Sequence, residues 1–320
     1  MRTPDFWKRR SFVARLLLPF SKIYAYFSFE HQKRQRKTMY NSRLKVVCVG
    51  NIVAGGSGKT PVAIEIAKIL KDKGKKVVFL SRGYGGKLDN TVVDCRKHDY
   101  SDVGDEPLLL AAVAPVVIAR NRGSGAMIAE RMGAEYLIMD DGFQNQTLHK
   151  DISLLVFDGG IGIGNGYTLP AGPLRDDVDT ALKRADFAII SGRDMSGIGK
   201  LLSGRIKILN GSVYPSVGKQ IENGRWVAFA GIGRPEKFRE TLIDLKIDLA
   251  DFRSYPDHYP YTDADIKGIL ALAEKFSAKV ITTAKDMVKI PAMYRNQIES
   301  LPIDFHFDSG CDELVSRLLS

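Results

Sequence analysis

Cysteine is scarce in this chain: Cys48, Cys95 and Cys311 are the three in 320 residues, an odd number set far apart. That excludes a disulfide framework and a CxxC-type zinc site, and it suits a reducing, cytoplasmic setting. Internal repeats and low-complexity tracts are missing. An apolar run of membrane-spanning length is missing too. The most apolar stretch, Ser11 to Phe29, is broken by Arg15, Pro19 and Lys22, whereas a span needs ~20 largely apolar residues. What is there is 44% hydrophobic residues, enough for one large or two modest domains with real cores, so a disordered or fibrous chain is excluded.

The formal net charge of +10 is confined to one end. Twelve basic side chains between Arg2 and Lys45 face only Asp5 and Glu30, and the remaining residues balance at 35 basic against 35 acidic. The body therefore offers no basic stripe for nucleic acid, and no nucleic-acid partner is expected. Basic clusters flank the aromatics Phe12, Phe20, Tyr24, Tyr26, Phe27 and Phe29. This suits an amphipathic helix lying on an anionic membrane surface, facing the cytoplasm. The alternative is a helix packed on the protein's own core. A signal peptide is disfavoured, because no small-residue cleavage site precedes the first strand.

From residue 44 short β-branched runs alternate with helical stretches: a strand over Leu44 to Val49, a helix over Pro61 to Asp72, a strand over Lys76 to Leu80. Further buried runs are Val116 to Ala119, Tyr136 to Met139, Ser153 to Phe157 and Phe187 to Ile190. The pattern predicts an α/β fold with a P-loop NTPase-like, mostly parallel sheet, covered on both faces. After a polar stretch, Gly211 to Gly224, it restarts with Trp226 to Ala230, a GIG turn and a helix from Pro235. Strands at Lys279 to Thr283 and Ile303 to Phe307 and a closing helix, Asp312 to Leu319, would complete a second, smaller α/β lobe. The expected domains are an N-terminal helix (1–43), a kinase core (44–205) and the smaller lobe (206–320).

The strand ending at Val49 leads into Gly50-Asn51-Ile52-Val53-Ala54-Gly55-Gly56-Ser57-Gly58-Lys59-Thr60 and then a helix. Glycines let successive backbone N–H groups converge on phosphate oxygens, and the helix start adds positive potential. Gly55, Gly56, Ser57, Gly58, Lys59 and Thr60 are thus the candidate nucleotide-binding set, with Lys59 on the β/γ-phosphates and Thr60 on Mg²⁺. Val53 stands where GxxxxGK[ST] has its first glycine.

Downstream, Tyr136 to Met139 delivers Asp140 and Asp141 at a strand end, the arrangement that holds a Mg²⁺ shell beside a P-loop. Asp140 is the favoured one. Gly104-Asp105-Glu106-Pro107 sets two carboxylates at a helix start, where capping is the commoner use. His258, in the aromatic loop Tyr255 to Tyr259, is a candidate general base or the partner of one. Arg175, after Leu169 to Leu174, suits an anionic substrate group, although surface pairing is commoner for such arginines.

GNIVAGGSGKTP, LSRGYGG, GDEP, DDGFQ, LPAGPLR, SYPDHY and TTAKD follow one another in that order. With them the chain resembles the tetraacyldisaccharide 4′-kinase family over nearly all of residues 45 to 290. The resemblance implies transfer of the ATP γ-phosphate to the 4′-hydroxyl of a tetraacylated glucosamine disaccharide 1-phosphate. The product would be lipid IVA, made at the cytoplasmic face of the inner membrane. It also implies that Asp105 is the catalytic base, His258 its partner and Lys59 a catalytic cation. Glu106, Asp140 and Asp141 match acidic positions of the metal site, and Gln144 and Arg175 match residues of the nucleotide and substrate cleft. Two positions depart from the family's pattern: Asn145 replaces a histidine after DDGFQ, and Asp176-Asp177 replaces Glu-Pro after LR.

Two other readings carry the same loop. A membrane-recruited ATPase or GTPase switch would hydrolyse nucleotide without lipid. A nucleic-acid-binding NTPase would bind RNA in a salt-sensitive way through the arm.

Overall fold

The computed structural model describes residues 4–216, 221 and 223–320. Arg2, and residues 217–220 and 222 of the polar stretch, lie outside the described residues. The strands are β1 (Lys45–Gly50), β2 (Val77–Ser81), β3 (Thr91–Val92), β4 (Val116–Ile118), β5 (Tyr136–Asp140), β6 (Ile152–Asp158) and β7 (Phe187–Ser191). They continue with β8 (Lys207–Pro215), β9 (Arg225–Ala230), β10 (Asp248–Ser254), β11 (Lys279–Thr283), β12 (Glu299–Leu301) and β13 (Ile303–Ser309).

Nine of these form one sheet in the order β13-β8-β7-β6-β1-β5-β2-β4-β3. It is parallel except at its rims, where β3 on β4 and β13 on β8 run antiparallel. Alternate residues of β1 feed opposite cores: Val46 and Cys48 one face, Val47 and Val49 the other. Burial on both faces is why the strands read as continuous apolar runs. The helix Lys59–Asp72 covers the second face through Val62, Ile66 and Leu70 at four-residue spacing. Each such side chain, fully buried, contributes about 1.5–3 kcal/mol. Because β1 lies between β5 and β6, the chain leaves it in one direction and later returns in the other. The crevice at the carboxyl ends of these three strands is the binding position in such sheets.

The second sheet, β10-β9-β11-β12, is wholly parallel. Here the structure corrects the expected assembly. β8, β13 and the helix Asp312–Leu319 belong to the first sheet and its core, where Phe305, Leu314 and Leu318 are buried. The smaller lobe is therefore an insertion between two paired strands, with Pro215 opposite Ile303 and the Ser216 N–H donating to the Pro302 carbonyl. Only one residue separates β12 from β13, so the return across the lobe boundary leaves no compositional mark.

The N-terminal arm forms the helices Phe12–Leu16 and Leu18–Arg36. No helix among the described residues is long and apolar enough to cross a membrane. The arm docks on the body through its small and polar residues. Ser21 Oγ donates to the Thr168 carbonyl (2.8 Å) and accepts from the Ala171 N–H (3.1 Å), while Gln32 bonds Asp176 and Arg184. Phe12, Leu16, Phe20, Ile23 and Phe27 point away, between 53% and 81% exposed.

Candidate active site

The phosphate loop is shaped by backbone geometry and by one asparagine. Gly55 and Gly58 take φ of 120° and 83°, conformations that favour glycine, and Gly58 caps the following helix in that state. Asn51 Nδ2 donates to the Val53 carbonyl (2.6 Å) and to Ser57 Oγ (2.9 Å), drawing the loop across itself. Val53 is buried and bridges Leu174. At this position the loop gains an apolar anchor where a glycine is usual.

Thr60 Oγ1 donates to Asp140 Oδ2 at 3.0 Å. The other oxygen, Oδ1, is buried without a partner. Burial, reinforced by repulsion from Glu106 and offset only in part by Lys59, pushes the Asp140 carboxyl up to about 7. Asp141, at φ 53°, turns the other way. Arg175 Nη1 reaches both of its oxygens at 3.1 Å and Lys59 Nζ stands 3.8 Å off. Burial would raise the Asp141 carboxyl, but Lys59 and Arg175 outweigh it and hold it below the usual range.

The second cluster spans the two lobes. Asp105, buried at the start of the helix Asp105–Ala111, accepts from His258 Nδ1 at 2.9 and 3.1 Å. His258 is held at φ 57°, a strained backbone for a residue with a side chain. Burial would raise the Asp105 carboxyl, but the His258 hydrogen bond and Lys285 bring it below its ordinary value. Gly104 is required beside it: with φ 89°, a Cβ there would collide with the Tyr84 carbonyl. That contact ties the SRGYGG and GDEP segments together, and the Tyr84 ring lies over His258 with centroids 5.1 Å apart.

The sequence-predicted residues thus form two groups, Lys59-Thr60-Asp140-Asp141-Arg175 and Asp105-Glu106-His258, coupled through the repulsion between Glu106 and Asp140. Gln144 lies against the phosphate loop, where its Nε2 donates to the Asn51 carbonyl (2.8 Å) and braces it. The four expected metal residues do not close a cage, since Asp141 is engaged by Arg175 and Glu106 by Lys285. Among the described residues no three His, Cys, Asp or Glu side chains surround a metal position. Thr60 and the free Asp140 oxygen do fit Mg²⁺, which keeps several waters and binds through one or two carboxylates plus phosphate oxygens. Asn145, in place of the usual histidine, shapes a turn: its side chain accepts from Thr147 and its carbonyl from Lys150 Nζ. Asp176 pairs with Arg184 and Gln32 beneath the arm.

Sequence reasoning gave no role to four charged residues that the structure places at this site or at the lobe boundary beside it. Lys285 of TTAKD lies between Glu106 and Asp257. Asp158, buried at the end of β6, accepts from Arg234 (3.2 Å) and Lys237 (3.3 Å) of the smaller lobe, and Arg234 directly follows the GIG turn. Charge at a strand's carboxyl end was the available signal, the one used for Asp140.

Residues 13–320 match the family described as tetraacyldisaccharide-1-P 4′-kinase. The chain belongs to that family. Its activity is accordingly a tetraacyldisaccharide 4′-kinase activity. It is 46% identical to the tetraacyldisaccharide 4′-kinase of Paramagnetospirillum magneticum over 97% of this chain and 95% of the relative. With the enzyme of Rhodospirillum rubrum it shares 42% identity over 100% and 98%. A crystal structure of LpxK from Aquifex aeolicus, described as an "apo" form in complex with ATP, superposes with a TM-score of 0.78 at 27% identity, covering 96% of this chain and 98% of that one.

Proposed function

We propose that the chain phosphorylates the 4′-hydroxyl of a tetraacylated disaccharide 1-phosphate with ATP in lipid A biosynthesis, using Asp105 and His258 as the proton-accepting pair. The observation that supports this is the Asp105–His258 contact across the two lobes, 2.9 Å long, beside the phosphate loop. In the reaction the 4′-oxygen bonds to the γ-phosphorus, the bond to the β-phosphate oxygen breaks, ADP leaves and the hydroxyl proton is taken up by the protein. Phosphoryl transfer runs through a loose transition state in which positioning and charge neutralisation dominate. A carboxylate held below its ordinary range is a weak base alone. Its imidazole partner gives the proton somewhere to go, so the two act as one unit.

Gly55 to Thr60 would hold the phosphates, with Lys59 leaving Asp141 to meet them. Thr60 and Asp140 would hold Mg²⁺, which would supply positive charge against the charge that develops on the phosphates. Arg175 keeps Asp141 oriented and stands beside the cavity of about 180 Å³ between the arm and the loop around Asp176. The arm reads as a surface anchor at the cytoplasmic face of the inner membrane, because it buries polar residues and exposes apolar ones.

The test is incubation with labelled ATP and the purified disaccharide monophosphate. The expected result is a 4′-phosphorylated product, with little ATP hydrolysis when the acceptor is left out. Fast hydrolysis without lipid would support the nucleotide-switch reading. Asp105→Ala should lower kcat by on the order of 10²–10⁴ while ATP binding persists. An unchanged kcat would remove Asp105 from the proton-accepting role.

A further inference from the structure

Lys285 occupies a position that the reaction scheme above leaves unexplained. It sits in a one-turn helix, Ala284–Met287, carried by the smaller lobe. That turn is immobilised by its neighbour Asp286, which is fully buried. Asp286 accepts from the Gly231 N–H (3.0 Å), Tyr261 Oη (3.0 Å) and Thr283 Oγ1 (2.7 Å), and it pairs with Lys289 at 2.8 Å. From this fixed base Lys285 reaches the other lobe. Its Nζ lies 3.1 Å from Glu106 Oε1, 3.5 Å from Asp257 Oδ1 and 4.0 Å from Asp105 Oδ2.

The partners form a pattern. Glu106 is the chain neighbour of Asp105, and Asp257 is the chain neighbour of His258, so one ammonium binds the residue beside each member of the proton-accepting pair. Asp257 also accepts from the His258 N–H at 3.1 Å, which makes it part of the strained turn that aims the imidazole. Three carboxylates around one cation repel one another once that cation is gone. Burial works against the Lys285 charge, but Glu106, Asp105 and Asp257 outweigh it, so the side chain stays cationic.

We infer that Lys285 is a positioning residue for phosphoryl transfer, holding Asp105 and His258 in register across the lobe boundary through Glu106 and Asp257. The inference rests on Asp105 and His258 being the proton-accepting pair. A lysine that merely glued the lobes would cost stability or nucleotide affinity. A positioning lysine costs kcat, and only while the pair is intact.

The experiment is a double-mutant cycle with kcat, affinity for a fluorescent ATP analogue and thermal stability measured on each protein. Lys285→Met keeps the side-chain length without the charge and should lower kcat about 10- to 100-fold with ATP affinity within about twofold. Lys285→Arg should recover most of the loss. In the Asp105→Ala background, Lys285→Met should change kcat by less than about threefold. Full additivity, or a kcat for Lys285→Met within twofold of the parent, overturns the inference. A loss of ATP affinity matching the loss of kcat also overturns it, by making Lys285 a phosphate ligand. If Lys285→Met does not fold, Asp257→Asn carries the test: a severalfold loss of kcat at unchanged ATP affinity supports the inference, and an unchanged kcat overturns it. A kcat left unchanged by Asp105→Ala would instead defeat the assignment of the pair, which separates the two failures.

Discussion

Asp140 and Asp141 are adjacent carboxylates that the fold pushes in opposite directions. Asp140 ends β5 inside the core with one oxygen unpartnered, whereas Asp141 steps into a left-handed conformation and is neutralised by Arg175 and Lys59. The consequence for stability has a definite sign. In the unfolded chain Asp140 ionises near pH 4, but in the metal-free fold it resists ionising until about 7. Between those values the unfolded state releases its proton and the folded state keeps it, so this residue's contribution falls as pH rises through that window, then levels off. Asp140→Asn removes the slope. Denaturant unfolding in chelator should show the variant gaining on the parent between pH 5 and pH 8, by a few kcal/mol at most at about 1.4 kcal/mol per unit. A pH-independent difference would contradict the burial argument. An apolar strand ending in a carboxylate is a local pattern, so the Asp140-Asp141 pair was legible in the sequence. The division of labour was not, because it depends on Arg175, 34 residues away from Asp141.

At the scale of elements, strands buried on both faces announced themselves. β1, β2, β5, β6 and β7 fall within a residue or two of their expected bounds, since nothing polar interrupts them. β10 was invisible because its sequence, DLADFRS, is that of a half-exposed edge, where charge on the open side guards against stray pairing. The arm is a different case: its composition was readable, but which face it buries was not. Phe20, Ile23 and Phe27 recur at steps of three and four, so they form one stripe on the helix Leu18–Arg36; the structure turns that stripe outward and leaves Phe12 and Leu16 of the preceding helix exposed as well. A helix held only by the protein would present the opposite face. Replacing Phe20, Ile23 and Phe27 with Gln should therefore weaken flotation with phosphatidylglycerol-containing vesicles at least tenfold, given about 1.5–3 kcal/mol for each large apolar group transferred. The melting temperature should move little, because Ser21 and Gln32 carry the docking. Undiminished flotation would show that the basic residues alone bind the membrane.

Over the whole molecule, the expected split at residue 205 falls one strand early, and the closing strand and helix return to the larger sheet. Sequence order hid this because a chain inserted between two paired strands reads as a simple succession. The insertion has a mechanical meaning. The smaller lobe hangs from two adjacent crossings, at Ser216 and Pro302, and polar contacts join it to the larger lobe. Gly233 lies so near the phosphate loop that a Cβ on it would come 2.6 Å from the Gly56 nitrogen. Asp105–His258 and Glu106–Lys285 form a second contact, and Asp158 with Arg234 and Lys237 a third. Only the third lies outside the reacting groups, so it reports on lobe closure alone. Asp158→Asn keeps an acceptor for the Gly160 N–H but removes the charge opposite two cations of the smaller lobe. Since Arg234 and Lys237 are about a third exposed, the loss is nearer to about 1 kcal/mol than to the 3–5 of a fully buried pair. At about 1.4 kcal/mol per decade, that shifts the open-to-closed ratio some fivefold. Small-angle scattering of the nucleotide-free variant should give a larger radius of gyration than the parent. Saturating ATP should draw the two together, and kcat should fall by no more than that factor. An unchanged radius with a reduced kcat would place Asp158 in the chemistry instead of in the contact that closes the lobes.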